Sequence, residues 1–394
     1  MQKTTKELYD SSELEKREFV EKDESDSALR GVLENRDDTE SLRMKRYLSM
    51  PDLSRKEGSP IREMVERVLS LDIFKKFDVI KIPEIVPKTQ TFDLFDFPAD
   101  HPARSKSDTY YINEDYILRT HTTVMWYYYF KRPEIKEKIK KSEDMAVISF
   151  GKVYRKDEID RRHMNVFHQV DGLYICKNDE RIINQDDLKE VLVKVAQSVF
   201  GDEIKYRFNP DTFPYTHDSL EMEVDKNGVW VEVLGAGVVQ PTVLEKLGVD
   251  SEIYNGWAFG FGLERLAIIS TDLPDIRLLW SDDPRVVKQL KLGKKFVEVS
   301  KYPSVTRDIS FVVKSNFIPN DYFDLVRETA PDLVEEVTLL DKYENMEKFG
   351  KDNISYAYRV TYRSLERTLT SQEIDKVHKN LEDVTSKTYE AKVR

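Results

Sequence analysis

The chain has 394 residues, 40% of them hydrophobic and 34% charged, with a formal net charge of −11 at pH 7. That length exceeds one ordinary domain, so two or three are expected. One cysteine, Cys176, and six histidines in no HExxH or HxH pattern exclude internal disulfides and argue against zinc, and no apolar run nears the ~20 residues of a bilayer span.

Residues 1–58 carry 12 Lys and Arg against 15 Asp and Glu with little apolar periodicity, and read as a largely disordered segment or frayed helix. A basic helix around 42–48 is expected within it. The segment has neither a signal-peptide apolar core nor an Arg-rich, acid-poor transit pattern, so a cytosolic protein is the default expectation. Ser59-Pro60 then gives a cap and a first-turn proline, and Ile61, Met64, Val65, Val68 and Leu69 recur at helical spacing. Strand-like runs follow at 78–85, 109–118, 145–155, 166–176, 204–209, 220–225 and 229–239, with helical patterns at 122–130, 187–200 and 262–270. Strands close in sequence and joined by turns predict an antiparallel sheet flanked by helices, an α+β fold, over 59–280.

Residues 281–301 read as a linker with a short helix. A second unit, 302–394, offers strands at 309–314, 334–343 and 355–362, helices at 321–330 and 371–386, and a last strand at 390–394. Ser371 is the expected N-cap of the second helix. This β-α-β-β-α-β order is ferredoxin-like. Residues 288–394 hold 19 Lys and Arg against 18 Asp and Glu, so bulk charge does not decide whether nucleic acid binds there.

The stretch 150–171, FGKVYRKDEIDRRHMNVFHQVD, reads as a β-hairpin able to grip a nucleotide. Its first strand can aim Arg155 at a phosphate as a bidentate fork. Its return strand can offer Phe167 to a base, a stacking contact worth about 1–3 kcal/mol. A plain surface hairpin with scattered charges explains the stretch equally well. Residues 91–104, TFDLFDFPADHPAR, make an ordered loop, and 119–123, RTHTT, end a strand in hydroxyls and an imidazole that either surround a small ligand or cap the next helix. In 256–265, GWAFGFGLER, Gly260 and Gly262 let a helix start approach a ligand closely. Arg265 lies on its first turn and can reach a phosphate. Glu232 can hold Mg²⁺ or order a water, or is an ordinary strand carboxylate.

Taken together, FPADHPAR, RTHT, VYRKDEID…FHQ and GWAFGFGLER resemble the catalytic domain of class II phenylalanyl-tRNA synthetases. YPSVTRDISF (302–311), LLDKYE (339–344) and YRSLERTLTSQE (362–373) resemble their ferredoxin-fold anticodon-binding domain. Both on one chain is similar to the single-chain, organelle-type form, which implies a monomer acting on ATP, L-phenylalanine and tRNA(Phe) with Mg²⁺. The resemblance implies that Arg155 binds the α-phosphate and the reacting carboxylate, and that Arg265 holds the γ-phosphate. Phe167 stacks on adenine, with Arg162 and His163 on the phosphate side. Gln169 and Asp171 receive the amino group, helped by His121 and Thr123. Phe213, Tyr215, Ala258 and Phe259 wall the side-chain slot.

Arg307, Tyr343, Arg363 and Arg367 are the candidates for reading the anticodon. Five sites depart from the family pattern: Asp171 stands for a glutamate, Thr123 for a serine, Trp126 for a glutamine that orients the substrate, Ser59-Pro60 for a His-Pro, and Tyr215 for a frequent phenylalanine. The intact Arg155, Phe167, Glu232 and Arg265 argue against a non-catalytic tRNA-binding relative. The anticodon-like tail argues against a ligase that charges no tRNA.

Overall fold

The computed structural model describes residues 4–11, 13–156, 161–317, 319–364 and 366–394. The hairpin residues 157–160 fall outside the described residues. Two compact units divide the chain, 1–296 and 297–394.

In the first unit, among the described residues, eight strands form one sheet. They are β1 (Glu18–Val20), β2 (Asp78–Lys81), β5 (Met145–Tyr154), β6 (Val166–Lys177), β7 (Tyr206–Pro210), β8 (Thr216–Lys226), β9 (Val229–Val239) and β10 (Tyr254–Gly262), in the order β1-β2-β5-β6-β10-β9-β8-β7. The pairings β1–β2 and β2–β5 are parallel and the others antiparallel. Short strands β3 (Ile85–Pro87) and β4 (Tyr116–Leu118) pair separately. The extended run expected over 109–118 therefore shrinks to its last three residues. Asn113 breaks it, its side chain accepting the N–H groups of Asp115 and Tyr116 in a turn.

The local causes are plain. Ser59 caps the helix Pro60–Leu69, accepting from the Ile61 N–H, and Ile61, Met64, Val65 and Val68 are buried. Asn184 and Asp187 form a capping box for the helix Gln185–Phe200. The β8–β9 hairpin turns at Asn227-Gly228, both with positive φ, the signature of a type I′ turn.

Residues 254–262, expected to lead into a helix, are strand β10, and the helix begins only at Leu263. Gly256 makes its close approach to a neighbouring strand, where a Cβ would lie 2.1 Å from the Tyr174 carbonyl oxygen, while a Cβ on Gly262 would meet nothing within 4 Å. Trp257, Phe259 and Phe261 stack along one face of β10 with ring centroids 5.6 and 5.9 Å apart, and Phe74 and Phe77 pack on them.

The N-terminal segment is folded onto this unit, which corrects the expected frayed stretch. The helices Glu24–Glu34 and Thr39–Ser49 form, and Leu8, Tyr9, Leu14, Leu33, Met44, Tyr47 and Leu53 are buried. These apolar residues are too widely spaced to make a periodic stripe. Distant partners hold them. Arg17 donates to both oxygens of Asp78, and Lys152 Nζ donates to the carbonyls of Leu48 and Met50.

The second unit is a four-stranded sheet of β11 (Val305–Lys314), β12 (Val334–Glu344), β13 (Asn353–Tyr362) and β14 (Lys392–Val393), in the order β12-β13-β11-β14. The helices Pro319–Thr329 and Ser371–Tyr389 complete the β-α-β-β-α-β order. The N-cap of the latter is Thr370 rather than Ser371; its hydroxyl accepts from the Glu373 N–H. Phe311, Tyr322, Tyr358, Val360 and Tyr362 form the core.

Candidate active site

Strand periodicity builds the site. Phe167, Gln169 and Asp171 alternate on one face of β6, and the register pairs Gln169 with Gly262 and Asp171 with Gly260. Ala258, Gly260 and Gly262 therefore share that face with the polar residues of β6. Their small size opens a cavity of about 430 Å³. A Cβ on Gly260 would meet Asp171 Oδ1 at 2.9 Å, and one on Gly235 would meet the Phe213 ring at 2.9 Å.

One end of the cavity is aromatic. Phe97 lies parallel to His121 and stacks on Tyr215, each at 6.1 Å between centroids, and Phe213 stacks on Tyr215 at 6.1 Å. Such a slot holds a flat apolar group. At its edge the Asp171 carboxylate accepts from both the Thr122 and Thr123 hydroxyls. Burial raises Asp171, and the two threonine hydrogen bonds with the Arg155 charge hold the rise to about 6. Burial and the Arg155 charge push His121 down to about 3. At neutral pH the slot thus presents a carboxylate beside a neutral imidazole. Gln169 Oε1 is buried with no hydrogen-bond partner among the described residues, an acceptor facing the same cavity.

The other end is cationic. Arg155, just beyond β5, donates from Nε to the Thr120 carbonyl at 2.9 Å, and its guanidinium lies 5.1 Å from the Phe167 ring centroid. Arg265, in the first turn of the helix Leu263–Thr271, is half exposed and 3.3 Å from Glu232. Arg155, Arg162, His163, Phe167, Glu232 and Arg265 all line this cavity, as do His121, Thr123, Gln169, Asp171, Phe213, Tyr215 and Ala258.

Two residues expected at the phenylalanine site, Trp126 in the place of the orienting glutamine and Phe259 in the wall, do not present their side chains there. Trp126 is fully buried behind the slot, edge-on to Phe95 and Tyr215, because it lies on the core side of the helix Met125–Lys131. Phe259 borders the cavity, but its ring is in the stack with Trp257 and Phe261 on the opposite face of β10. Ala258 and Phe259 are consecutive in a strand, so they cannot face the same way.

In the second unit Arg307 pairs with Asp375, Arg363 with Glu335 and Arg367 with Glu373. Arg363 is the most buried of the three, with 14% of its side chain exposed. Tyr343 is exposed, its ring edge-on to Phe349.

Sequence reasoning passed over Phe97 and His101, which line the cavity although they lie within the quoted loop. It also passed over His168, whose strand alternation already set it on the face opposite Phe167 and Gln169. His168 is buried, with Nδ1 2.6 Å from Glu264 Oε1, and its own N–H donates to Glu264 Oε2 at 2.8 Å. At Nε2 it accepts from the Leu53 N–H at 2.9 Å, with Asp52 Oδ1 3.3 Å away. Burial alone would lower its pKa, but the charge of Glu264 and the hydrogen bonds to Asp52 and Glu264 carry it to about 8.

The chain matches the family model described as tRNA synthetases class II core domain (F) over residues 47–290. It matches the ferredoxin-fold anticodon binding domain over 300–394. It is 37% identical over 349 residues to the mitochondrial phenylalanine–tRNA ligase of Mus musculus, covering 79% of this chain and 73% of that one. It is 36% identical over 332 residues to the chloroplastic/mitochondrial phenylalanine–tRNA ligase of Arabidopsis thaliana, covering 82% and 73%. The alpha subunit of phenylalanine–tRNA ligase from Caldicellulosiruptor bescii is 37% identical over 227 residues, covering 55% of this chain and 63% of that one. With two cationic side chains, a buried carboxylate and an aromatic slot around one cavity, and with both domain models matched in succession along one chain, the chain belongs to the class II phenylalanine–tRNA ligase family, in its single-chain form.

Proposed function

We propose that this cavity joins L-phenylalanine to ATP and then passes the amino acid to tRNA(Phe). In the first step a carboxylate oxygen of phenylalanine attacks the α-phosphorus in line, the bond to the bridging oxygen breaks, and pyrophosphate leaves. In the second a ribose hydroxyl of the terminal adenosine attacks the acyl carbon, and AMP leaves with the bonding pair. No protein nucleophile is required.

The residues divide the work by chemistry. The Arg155 guanidinium neutralises charge at the α-phosphate and the reacting carboxylate, and Arg265 holds the far end of the triphosphate. Phe167 offers its ring to adenine, and Arg162 and His163 line the phosphate path. Asp171 takes the ammonium of phenylalanine, with Gln169 Oε1 as a second acceptor, while His121 and Thr123 fix the carboxylate's surroundings. Phe213, Tyr215 and Ala258 bound the side chain.

Mg²⁺ usually binds one or two carboxylates and completes its shell with substrate phosphates and water. Glu232, a half-exposed hard-oxygen donor beside Arg265, fits that habit, and among the described residues there is no group of three or more metal-ligating side chains. Bound there, the ion would neutralise phosphate charge as pyrophosphate departs.

The observation that carries the reading is the convergence of Arg155, Arg265 and Asp171 on one cavity whose far wall is aromatic. The second unit, with Arg307, Tyr343, Arg363 and Arg367 as candidates, would recognise the anticodon through stacking and hydrogen bonds to single-stranded bases. The organelle names of the relatives favour a matrix compartment over the cytosol, and the single-chain form favours a monomer. Among the described residues no helix is long and apolar enough to cross a membrane. The test is ATP–pyrophosphate exchange with each of the twenty amino acids, followed by charging of tRNA. Exchange driven by phenylalanine is expected, and exchange driven only by another amino acid would refute the assignment.

A further inference from the structure

His168 and Glu264 have no part in the chemistry above, yet they join the two elements that would hold ATP. β10 ends at Gly262, opposite Gln169, so beyond that point β6 has no strand partner on this side among the described residues. The next backbone donor of β6 facing that way is the His168 N–H, and the Glu264 carboxylate accepts it at 2.8 Å. A side chain thus takes the ladder position that β10 leaves. The other oxygen of the same carboxylate holds His168 Nδ1 at 2.6 Å.

One neighbour of this clamp on each side is a proposed ATP-binding residue. Phe167 precedes His168 on β6, and Arg265 follows Glu264 in the helix Leu263–Thr271. The far nitrogen of His168 is held by the N-terminal segment, through the Leu53 N–H at 2.9 Å and Asp52 Oδ1 at 3.3 Å. Trp280 packs on the ring with centroids 5.4 Å apart. Glu264 and His168 are 2% and 0% exposed. A short charge-assisted contact in such a setting is stiff, because neither partner can exchange it for water.

We propose that His168 and Glu264 are positioning residues that fix the distance between Phe167 and Arg265, and so between the adenine and phosphate ends of ATP, with the 52–53 turn of the N-terminal segment bracing the pair. This rests on the ATP-binding reading of the cavity. Gln169 and Asp171 share β6 with His168 but lie where the β10 ladder, at Gly262 and Gly260, already holds the strand, whereas Phe167 and Arg265 lie beyond that ladder, so the effect falls on ATP rather than phenylalanine.

The test compares Glu264→Gln, His168→Gln and the double variant in phenylalanine-dependent ATP–pyrophosphate exchange, with thermal melting in parallel. Each single variant should lose roughly 10–100-fold in kcat/KM for ATP, the size expected when reacting groups drift by a fraction of an ångström to an ångström. KM for phenylalanine should be unchanged, and the double variant should fall no further than the worse single one, since the two act as a unit. Equal losses toward ATP and phenylalanine, additive losses, or failure of both single variants to fold would overturn the proposal and leave the pair a stability element. An active parent with fully active variants would overturn the proposal alone. A parent with no phenylalanine-dependent exchange would overturn the functional reading and this proposal with it.

Discussion

Thr123 donates its hydroxyl hydrogen to Asp171 at 2.5 Å, while Thr122 serves the other oxygen of the same carboxylate. Two local donors therefore keep a buried acid ionisable in an aromatic wall. Asp171 titrates at about 6, so it is charged at pH 7 and neutral in mild acid. As pH falls through about 6, kcat/KM for phenylalanine should fall about tenfold per unit. Thr123→Val removes a bond that favours the charged form, so its acid limb should move to higher pH. A profile flat from pH 7 to 5 would contradict the role of Asp171.

The same acid should cost stability at neutral pH. Its folded pKa lies above the unfolded value, so its contribution to folding is complete below about 3.9 and is lost as pH rises through about 6. Asp171→Asn should therefore melt no lower than the parent at pH 7.5, while losing phenylalanine binding. Calorimetry at two pH values checks the sign.

Arg155→Ala and Arg265→Ala should each reduce phenylalanine-dependent pyrophosphate exchange by about 10²–10³-fold, the loss seen when one preorganised donor is removed. Both side chains are exposed, so melting temperatures should stay within a few degrees. Near-parental exchange in either variant would remove that arginine from the chemistry.

Two glycines separate packing from binding. A Cβ on Gly172 would sit 2.4 Å from the Phe259 ring, inside the stack on the far face of β10, and should destabilise by about 1–3 kcal/mol. On Gly260 the added methyl meets Asp171 Oδ1 at 2.9 Å. Gly260→Ala should mainly raise KM for phenylalanine. Thermal melts and exchange kinetics on both variants decide.

Tyrosine should be activated at a measurable rate. An apolar slot rejects an added hydroxyl by only about 10²-fold. Removing residues 297–394, a compact unit of their own, should spare exchange with phenylalanine and abolish charging of tRNA. Exchange and aminoacylation assays on the same preparations test both statements.

Much of the site was readable because its motifs carry their own geometry: Arg155 and Phe167 flank one hairpin, and Arg265 follows β10. The errors have specific causes. Ala258 and Phe259 were assigned to one wall although strand parity sets them on opposite faces. Trp126 was placed by its motif position, whereas the burial of the helix Met125–Lys131 turned it into the core. His168 and Glu264 lie 96 residues apart, and no local pattern announces a contact of that range. The N-terminal segment misled most, since its charges suggested solvent while Arg17, Leu53 and Tyr47 found partners only in the folded sheet.

Strand β1 has one further consequence. Its three residues, Glu18–Val20, run alongside β2 and occupy the flank where the large sheet would otherwise offer bare amides and carbonyls. A strand from a second molecule finds there an edge only three residues long, pinned at its root by the Arg17–Asp78 fork, too short a template to extend far. On that flank the protein carries its own guard against runaway strand addition.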